Sequence, residues 1–479
     1  MPSLYTVEEM QQQREALAVD WQRPTWHFLP PSCWMNDPNG LLQWGDQYHL
    51  FYQHYPFKAV HRDMHWGHAV SEDLIHWRDL PVAFAPVAGS YDESGVFTGC
   101  AVDNDGVPTI IYTATSGPGS QVQVQALATG SGEDLVRWER HPANPVLAEV
   151  PAISGQTRDF RDPFVWRGED GWYMVLGCRI EGNGGMIPLY RSPDLVDWEY
   201  LGPMITGDVD KHGRMWECPN FFPLGDKWVL YFSSIHDDRE NTVYWMAGDF
   251  DGRRFHPETD GVLDYAYYYA PLCIEDSQGR RLMWGWLREG RSISEQVRAD
   301  WSGVQAIPRV LSLDSQQRLV MEPVAEMAGI RGAHTQLGAQ DVEGELALDC
   351  GSLALELRAS FAPQGQVGLK LAQAPDGSYG AAISWDAAAQ ELTVTRQDSS
   401  LFNDNDPCTA PHQLAAGESL DLLVLLDGSV LEIIANGRTS ITSRIYPPDA
   451  ECTGLALTGA GARLNALDVW QMEPTWPRK

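Results

Sequence analysis

The segment SEDLIHW, residues 71–77, recurs along the chain and sets the expected architecture. Similar segments follow as GEDLVRW at 132–138 and SPDLVDW at 192–198, and a weaker copy, GDFDGRRF, occupies 248–255. The tryptophans that end the three stronger copies lie 61 and 60 positions apart. A period of this length indicates a repeat architecture.

A second series keeps the same phase. In each copy a turn that contains glycine leads into an apolar run rich in β-branched and aromatic residues, and the copies start 54 to 64 residues apart. The five copies are GDQYHLFYQ (45–53), GVPTIIYTA (106–114), DGWYMVLGC (170–178), GDKWVLYFSS (225–234) and GRRLMWGW (279–286). Each unit predicts several short strands, and radial repetition of such units predicts a five-bladed β-propeller. A long β-sandwich with coincidental internal similarity is the alternative.

The character of the chain changes after the repeat ends. From about residue 342, alternating strands are separated by Gly, Asp and Asn turns, which predicts an antiparallel β-sandwich. At the other end, Thr6 and Glu9 have the spacing of a helical capping box. We therefore expect an all-β protein with a short N-terminal helix, divided into a helical extension (1–25), a five-bladed β-propeller (26–323), a linker (324–341) and a C-terminal β-sandwich (342–479).

The composition argues against several classes of partner. The chain has 479 residues and a formal net charge of −31, and so acidic a surface repels nucleic acids and anionic membranes. There is no apolar run of about 18 residues and no signal-peptide pattern in the first twenty residues, so we expect a cytoplasmic protein. The eight cysteines form no Cys-x-x-Cys pair, which predicts reduced thiols and no zinc ribbon. We expect no cofactor. The sequence is compatible with a homo-oligomer.

Three acidic residues occupy nearly the same place in the repeat. Asp37, Asp162 and Glu217 precede an aromatic residue of the first, third and fourth apolar runs by 11, 10 and 11 residues. In the second and fifth copies the matching positions fall near Phe97–Thr98 and Tyr269. Equivalent positions of successive blades surround one end of a propeller axis, so we expect the three carboxylates to converge.

Converging carboxylates narrow the choice of chemistry. They repel one another and lose hydration, so a structural role for all three is hard to justify. Oxygen-ligated metal sites usually show dense local spacing, which is absent here, so we expect no metal site. Paired carboxylates without a metal are the equipment of glycoside hydrolysis, in which one acid is an ionised nucleophile and the other holds a proton.

The neighbours of each acid suggest its role. Asp37 lies beside asparagines in a turn rich in backbone N–H donors, which favour the ionised form of a nucleophile. Glu217 lies in the apolar segment MWECP (215–219), which suits an acid/base residue with a raised pKa. Arg161 can offset the negative charge, and Asp162 can bind sugar hydroxyls and stabilise positive charge on the ring.

At these residues the chain closely resembles family 32 of the glycoside hydrolases, the invertase and β-fructofuranosidase family. The matching motifs occur in the family's order and are WMNDPNG (34–40), FYQ (51–53), HWGHAVSEDLIHW (65–77), FTG (97–99), FRDP (160–163), WECPN (216–220), WGW (284–286) and IPR (307–309). LDGSVLEIIANG and ITSRIYP resemble the family's sandwich signature. The resemblance therefore covers nearly the whole chain.

The resemblance implies a retaining enzyme that cleaves terminal β-fructofuranosides through a covalent fructosyl-enzyme. By motif match, Asp37 would be the nucleophile, Asp162 the transition-state stabiliser and Glu217 the acid/base. The fructose pocket would be lined by Asn36, Gln53, Trp66, Phe97, Thr98, Arg161, Tyr269 and Trp286. The chain departs from the family pattern at His61-Arg62, where members often carry Trp-Gly, and at Thr98, where Ser is usual.

The substrate is the part of the function that stays open. Sucrose is the leading candidate, and an exo-inulinase or levanase, a sucrose-6-phosphate hydrolase or a fructosyltransferase would use the same catalytic residues. Lys58, His61 and Arg62 could form a basic rim for a phosphorylated sugar. An inverting glycosidase on a similar propeller and a non-catalytic sugar-binding propeller are the other two readings.

Overall fold

The structure, a computed structural model, describes residues 4–151, 156–396 and 406–476 and consists mainly of β-strands. The helices are short: α1 Val7–Leu17, α2 Val209–His212 and α3 Ile293–Ala299, with two 3₁₀ turns at Pro118–Ser120 and Ala325–Ile330. The predicted capping box is present, since Thr6 and Glu9 exchange hydrogen bonds of 2.8 and 3.2 Å. Among the described residues, no helix is long and apolar enough to cross a membrane. The outer ends of the predicted N-terminal extension and C-terminal sandwich lie outside the described residues.

The first sixteen strands fall into four groups of four along the chain. They are β1 Cys33–Trp44, β2 Gln47–Tyr55, β3 His65–Ser71 and β4 Trp77–Phe84; β5 Gly95–Asn104, β6 Val107–Ser116, β7 Val122–Ser131 and β8 Arg137–Arg140; β9 Gln156–Gly168, β10 Gly171–Ile180, β11 Gly184–Ser192 and β12 Glu199–Thr206; and β13 Met215–Leu224, β14 Lys227–Ile235, β15 Thr242–Phe250 and β16 Phe255–Ala266.

The remaining strands complete the propeller and build a C-terminal β domain. The propeller strands are β17 Tyr268–Glu275, β18 Arg281–Leu287, β19 Trp301–Ser302, β20 Val304–Gln305, β21 Arg309–Leu313 and β22 Leu319–Pro323. The C-terminal strands are β23 Arg331–Leu337, β24 Gln340–Leu348, β25 Ala354–Phe361, β26 Gln366–Gln373, β27 Ala381–Asp386, β28 Glu391–Arg396, β29 Cys408–Pro411, β30 Leu420–Asp427, β31 Val430–Ala435, β32 Thr439–Arg444 and β33 Gly454–Met472.

The repeated segment that ends in tryptophan forms the turn from the third to the fourth strand of a blade. In its three strong copies the leucine has a left-handed backbone, with φ of 69°, 48° and 68° at Leu74, Leu135 and Leu195. The indole N–H of the tryptophan three residues later donates to that leucine's carbonyl, at 3.1, 2.6 and 3.0 Å. In the first and third copies the aspartate also accepts two backbone N–H bonds, as an Asx turn does. The repeat in the sequence therefore corresponds to one type of turn, which recurs from blade to blade and is closed by the same indole hydrogen bond.

The glycine series forms the hairpin from the first to the second strand. Asp105 and Gly106 both have positive φ, 53° and 87°, between β5 and β6. Two such residues in succession make the type I′ turn that suits the twist of paired strands. The apolar run that follows each hairpin is the buried second strand of the blade.

The five-bladed prediction is corrected, because within the described residues four blades form separate sheets. Their strand orders are β19-β1-β2-β3-β4, β5-β6-β7-β8, β12-β11-β10-β9 and β17-β18-β21-β22. Strands β13–β16 also pair in order, but β16 pairs in parallel with β32 through Tyr265–Ile441 and Ala266–Thr442. This pairing merges them into a fifteen-stranded sheet with the C-terminal domain. The physical reason is that the outer strand of a blade has unpaired N–H and C=O groups, which the C-terminal domain here satisfies.

The C-terminal β domain has its own apolar core, which includes Leu357, Leu369, Trp385, Ile433 and Leu457, each no more than 1% exposed. Its internal strand pairs are antiparallel, as predicted. The two-layer packing of a sandwich and the domain boundaries stay predictions.

A fully buried group of charges joins the propeller to the C-terminal domain. His27 contacts Asp427 and Glu432 at 2.9 Å through its two ring nitrogens. Arg309 bridges Glu432 at 2.5 Å and Asp264 at 3.1 Å, and all of these side chains are 0% exposed. Buried charges persist only when they are paired, so this contact needs both parts of the molecule.

Candidate active site

The predicted site residues meet in one cavity of about 200 Å³ at one end of the propeller axis. This is smaller than the ~300–1,000 Å³ of sites for drug-sized ligands and suits a single sugar ring. Every predicted site residue except Trp66 lines the cavity. The lining residues are Asn36, Asp37, Gln53, His61, Phe97, Thr98, Arg161, Asp162, Glu217, Cys218, Tyr269 and Trp286.

The first strand of each four-strand unit and β17 are the innermost strands of the propeller. Each of these strands is irregular at the level of the cavity. The pairing with the second strand shifts at Met35/Pro38 in β1, Val96/Gly99 in β5, Arg161/Phe164 in β9, Glu217/Asn220 in β13 and Tyr269/Leu272 in β17. Asp162, Cys218 and Ala270 adopt positive φ at these shifts, 62°, 47° and 47°. β-Bulges re-aim side chains, so the common phase seen in the sequence corresponds to a bulge that turns functional groups toward the axis.

Asp37 is held by side-chain donors. Its Oδ2 accepts from the Thr98 hydroxyl at 2.6 Å and its Oδ1 from the Asn36 amide at 3.1 Å. Burial raises the pKa of Asp37 to about 6, although the bond from Thr98 opposes the rise, and the charge of Glu217 adds to it. The sequence predicts backbone N–H donors to Asp37, whereas the donors in the structure are side chains. With this raised pKa, Asp37 is mainly ionised only above pH 6.

The pKa of Asp162 is raised further than that of Asp37. Burial raises its pKa to about 7, against the opposing charge of Arg161. Its Oδ2 accepts from the backbone N–H of Cys218 at 3.0 Å and lies 3.8 Å from the Arg161 guanidinium. Its own N–H donates to the Thr113 hydroxyl at 2.8 Å, which fixes the strained backbone of this residue.

Glu217 has polar surroundings, which corrects the apolar setting expected from its sequence neighbours. Its Oε1 accepts from Arg161 at 2.7 Å and its Oε2 from the Tyr269 hydroxyl at 2.7 Å. Trp216 is fully buried and packs away from the cavity, stacked on Phe232 at 3.9 Å. Trp216 and Glu217 point to opposite faces of the strand, so this apolar neighbour in the sequence does not form the environment of the carboxylate.

Trp66 lies behind the cavity wall and not in it. Its side chain is fully buried, and its indole N–H donates to the carbonyl of Phe97 at 3.0 Å. The residue therefore supports Phe97, which lines the cavity, and the contact with a sugar expected for Trp66 has no counterpart in this arrangement. Trp286 does line the cavity and packs near Tyr269, with ring centroids 6.4 Å apart.

Two lining residues were not among the predicted site residues. The sequence predicts His61 only for the rim, whereas its ring lines the cavity and packs edge-on against Trp34 at 5.7 Å and Phe97 at 6.4 Å. Cys218 follows Glu217, and the only signal for it was its place in the WECPN motif. Its sulfur lies 3.6 Å from both Asp37 and Asp162.

Other places in the molecule offer weaker candidates. A larger cavity of about 740 Å³ lies between the end of the propeller and the C-terminal domain, and none of the predicted site residues lines it. Two of its four acids, Glu418 and Asp468, are paired with Arg438 and His334. In the described part of the chain, no group of three or more His, Cys, Asp or Glu side chains could hold a metal ion.

Comparison with known proteins shows which family and which solved structures this chain is similar to. The sequence profile of the glycosyl hydrolases family 32 N-terminal domain matches residues 27–323, and that of the family 32 C-terminal domain matches residues 326–471. A sucrose-6-phosphate hydrolase of Escherichia coli is 33% identical over 94% of each chain. An acid beta-fructofuranosidase of Vicia faba is 32% identical over 96% of this chain and 82% of its own. The crystal structure of fructan 1-exohydrolase IIa from Cichorium intybus superposes with a TM-score of 0.85 at 26% identity, over 95% of this chain and 98% of that one.

Proposed function

We propose that this chain, which belongs to glycoside hydrolase family 32, cleaves terminal β-D-fructofuranosides with retention of configuration. It is a glycosidase that hydrolyses fructosides, as the activities of its relatives indicate. The observation that carries the proposed mechanism is the meeting of three carboxylates from three different strand groups in a cavity of ring size. Two of these carboxylates would do the covalent and proton-transfer chemistry.

In the first step, an oxygen of Asp37 attacks the anomeric carbon as the bond to the leaving oxygen breaks. Glu217 gives its proton to that oxygen. The Tyr269 hydroxyl contacts Glu217 Oε2 at 2.7 Å and can both donate and accept, so it can stay bonded whether or not Glu217 carries the proton. In the second step, water attacks the anomeric carbon, its proton passes to Glu217, and Asp37 leaves as a carboxylate.

Asp162 and Arg161 complete the proposed site. Asp162 would bind two sugar hydroxyls and stabilise the positive charge that develops on the ring. Arg161 bonds Glu217 at 2.7 Å and Asp159 at 2.9 Å, so it offsets part of the negative charge that the three acids concentrate. Binding to the ring would strengthen in the transition state, which is the condition for a gain in rate.

Sucrose turnover by the parent and two variants tests this mechanism. Asp37→Asn should lower kcat/KM for fructose release by about 10³-fold or more, because the amide is no nucleophile. Asp46→Asn, in the exposed β1–β2 turn, is the matched control and should leave the rate unchanged. Equal rates in the parent and Asp37→Asn would contradict the proposed mechanism.

We favour sucrose over its 6-phosphate because the rim of the cavity has little free positive charge. Burial lowers the pKa of His61, so its ring is mainly neutral at pH 7. Arg62 lies 3.3 Å from Asp63, which leaves Lys58 as the unneutralised charge among the three predicted rim residues. The 33% identity to sucrose-6-phosphate hydrolases nevertheless makes the phosphorylated sugar the second candidate.

A panel of sucrose, sucrose 6-phosphate, inulin and levan, ranked by kcat/KM, decides the substrate. We expect sucrose to rank first and Arg62→Ser to change its rate by less than about threefold. A preference for the phosphate ester that Arg62→Ser abolishes would establish the second candidate instead. An exo-inulinase or levanase activity on inulin or levan would use the same catalytic residues. Transfer of fructose to a sugar acceptor would also use them.

A further inference from the structure

Cys218 lies between two of the three carboxylates of the cavity. Its Sγ is 3.6 Å from Oδ2 of Asp37 and 3.6 Å from Oδ2 of Asp162. Its backbone N–H donates to the same Asp162 oxygen at 3.0 Å. The residue is only 5% exposed. Buried polar groups need hydrogen-bond partners, so a thiol in contact with both carboxylates is placed as a donor and not only as filling.

A bulge in β13 aims this side chain. Successive residues of a strand point to opposite faces, yet Glu217 and Cys218 both line the cavity. Cys218 has φ of 47°, and the pairing with β14 shifts between Glu217 and Asn220. A non-glycine residue in this conformation costs about 1 kcal/mol. The bond from its N–H to Asp162 helps to offset that cost.

The thiol keeps its proton. Burial raises the pKa of Cys218 well above its ordinary value, and the charges of Asp162 and Asp37 raise it further. The side chain is therefore a neutral S–H donor and not a thiolate nucleophile. A single S–H can donate fully to one carboxylate at a time, and two are within reach.

We propose that Cys218 is a positioning residue whose S–H is shared by Asp37 and Asp162 and turns wholly to Asp162 while Asp37 carries the sugar. This inference rests on the roles proposed above for the two aspartates. When Asp37 becomes an ester it loses its charge and accepts more weakly, so the S–H rotates about the Cβ–Sγ bond toward Asp162. The S–H bond itself does not break. As water displaces the sugar, the S–H returns to the Asp37 carboxylate and stabilises it.

Cys218→Ala and Cys218→Ser test the proposal through the pH profile of kcat/KM. A donor favours the ionised form of a carboxylate, so Ala should move the acidic limb to higher pH by about one unit, a roughly tenfold loss on that limb. Ser keeps a donor and should leave the limb within about 0.3 unit of the parent's. Cys100→Ala, which removes a buried thiol of another innermost strand outside this cavity, should not move it.

The proposal is overturned if the Ala profile coincides with the parent's, or if Ser moves as far as Ala, which would show a packing role alone. Infrared difference spectra, parent minus Cys218→Ser, isolate the S–H stretch of this thiol without turnover. We expect that band to shift in Asp37→Asn, and an unshifted band at the position of a free thiol contradicts the shared bond. A parent that releases no fructose would instead overturn the proposed function.

Discussion

At the scale of single residues, the candidate active site is unfavourable for stability. Burial raises the pKa of Asp37 to about 6 and that of Asp162 to about 7, from 3.8 in each case. A carboxyl whose pKa is higher in the folded state contributes stability below its unfolded pKa, and that contribution is lost as the pH rises through the folded value. At pH 8 both acids are ionised and destabilise the fold.

Asp37→Asn should therefore stabilise the protein while it abolishes activity. We expect the free energy of unfolding to rise by about 1–3 kcal/mol at pH 8, because the variant has no charge to bury. The gain should shrink at pH 5, where the native carboxyl is mainly protonated. Chemical denaturation at the two pH values measures the difference. An equal or larger gain at pH 5 would contradict the raised pKa.

Sequence analysis could find the acids but not their surroundings. Asp37, Asp162 and Glu217 were identified because the repeat puts them in one phase, and the structure brings them to one cavity. The predicted apolar environment of Glu217 was wrong. The environment depends on which face of the strand each neighbour occupies, and a bulge changes the alternation of faces. Cys218 was missed for the same reason, since only the left-handed backbone at this residue turns its side chain inward.

At the scale of elements, the blades depend on turns that are closed by side chains. Asp194 accepts from the backbone N–H groups of Val196 and Asp197 at 3.0 and 2.9 Å, and Asp73 makes the equivalent bonds in the first blade. Each turn positions a tryptophan indole on a leucine carbonyl. These local bonds repeat at the period of the sequence, which is why the blade as a unit could be predicted.

Removing the aspartates tests whether the turns stabilise the blades. Asp73→Ala and Asp194→Ala should each lower the free energy of unfolding by about 1 kcal/mol. The two losses should add in the double variant, because the turns lie in different blades. Urea denaturation of the three variants measures this, with Asp46→Ala in an exposed hairpin turn as control. Losses no larger than that of the control would show that the turns contribute nothing.

The number of separate blades was the part of the fold that could not be predicted. The repeat predicts four-strand units, and β13–β16 form such a unit. Their merging with the C-terminal domain depends on the pairing of Tyr265 with Ile441 and of Ala266 with Thr442. These partners are far apart in the chain and belong to no repeat, so nothing in the periodicity indicates that they meet.

At the scale of the whole molecule, buried charges make the propeller and the C-terminal domain interdependent. Burial disfavours a charged His27, but its bonds to Asp427 and Glu432 outweigh this and raise its pKa to about 9 from 6.5. His27 therefore contributes stability that is fully present below pH 6.5 and is lost as the pH rises through 9.

His27→Gln should destabilise the protein most at mildly acidic pH. We expect a loss of about 1–3 kcal/mol in the free energy of unfolding at pH 6 and a smaller loss at pH 9.5, where the native imidazole is itself mainly neutral. Denaturation at both pH values checks the sign. His334→Gln, on the exposed contact with Asp468, is the control and should cost little at either pH. A loss that grows with pH would contradict the charged state assigned to His27.

The stereochemistry of methanolysis tests the central claim most directly. With sucrose in aqueous methanol, part of the proposed Asp37–fructosyl ester is intercepted by methanol, and the methyl fructoside formed keeps its configuration for analysis by NMR. The double displacement proposed here predicts methyl β-D-fructofuranoside from the parent and none from Asp37→Asn. Methyl α-D-fructofuranoside, or the same β product from Asp37→Asn, would contradict a retaining mechanism with Asp37 as its nucleophile.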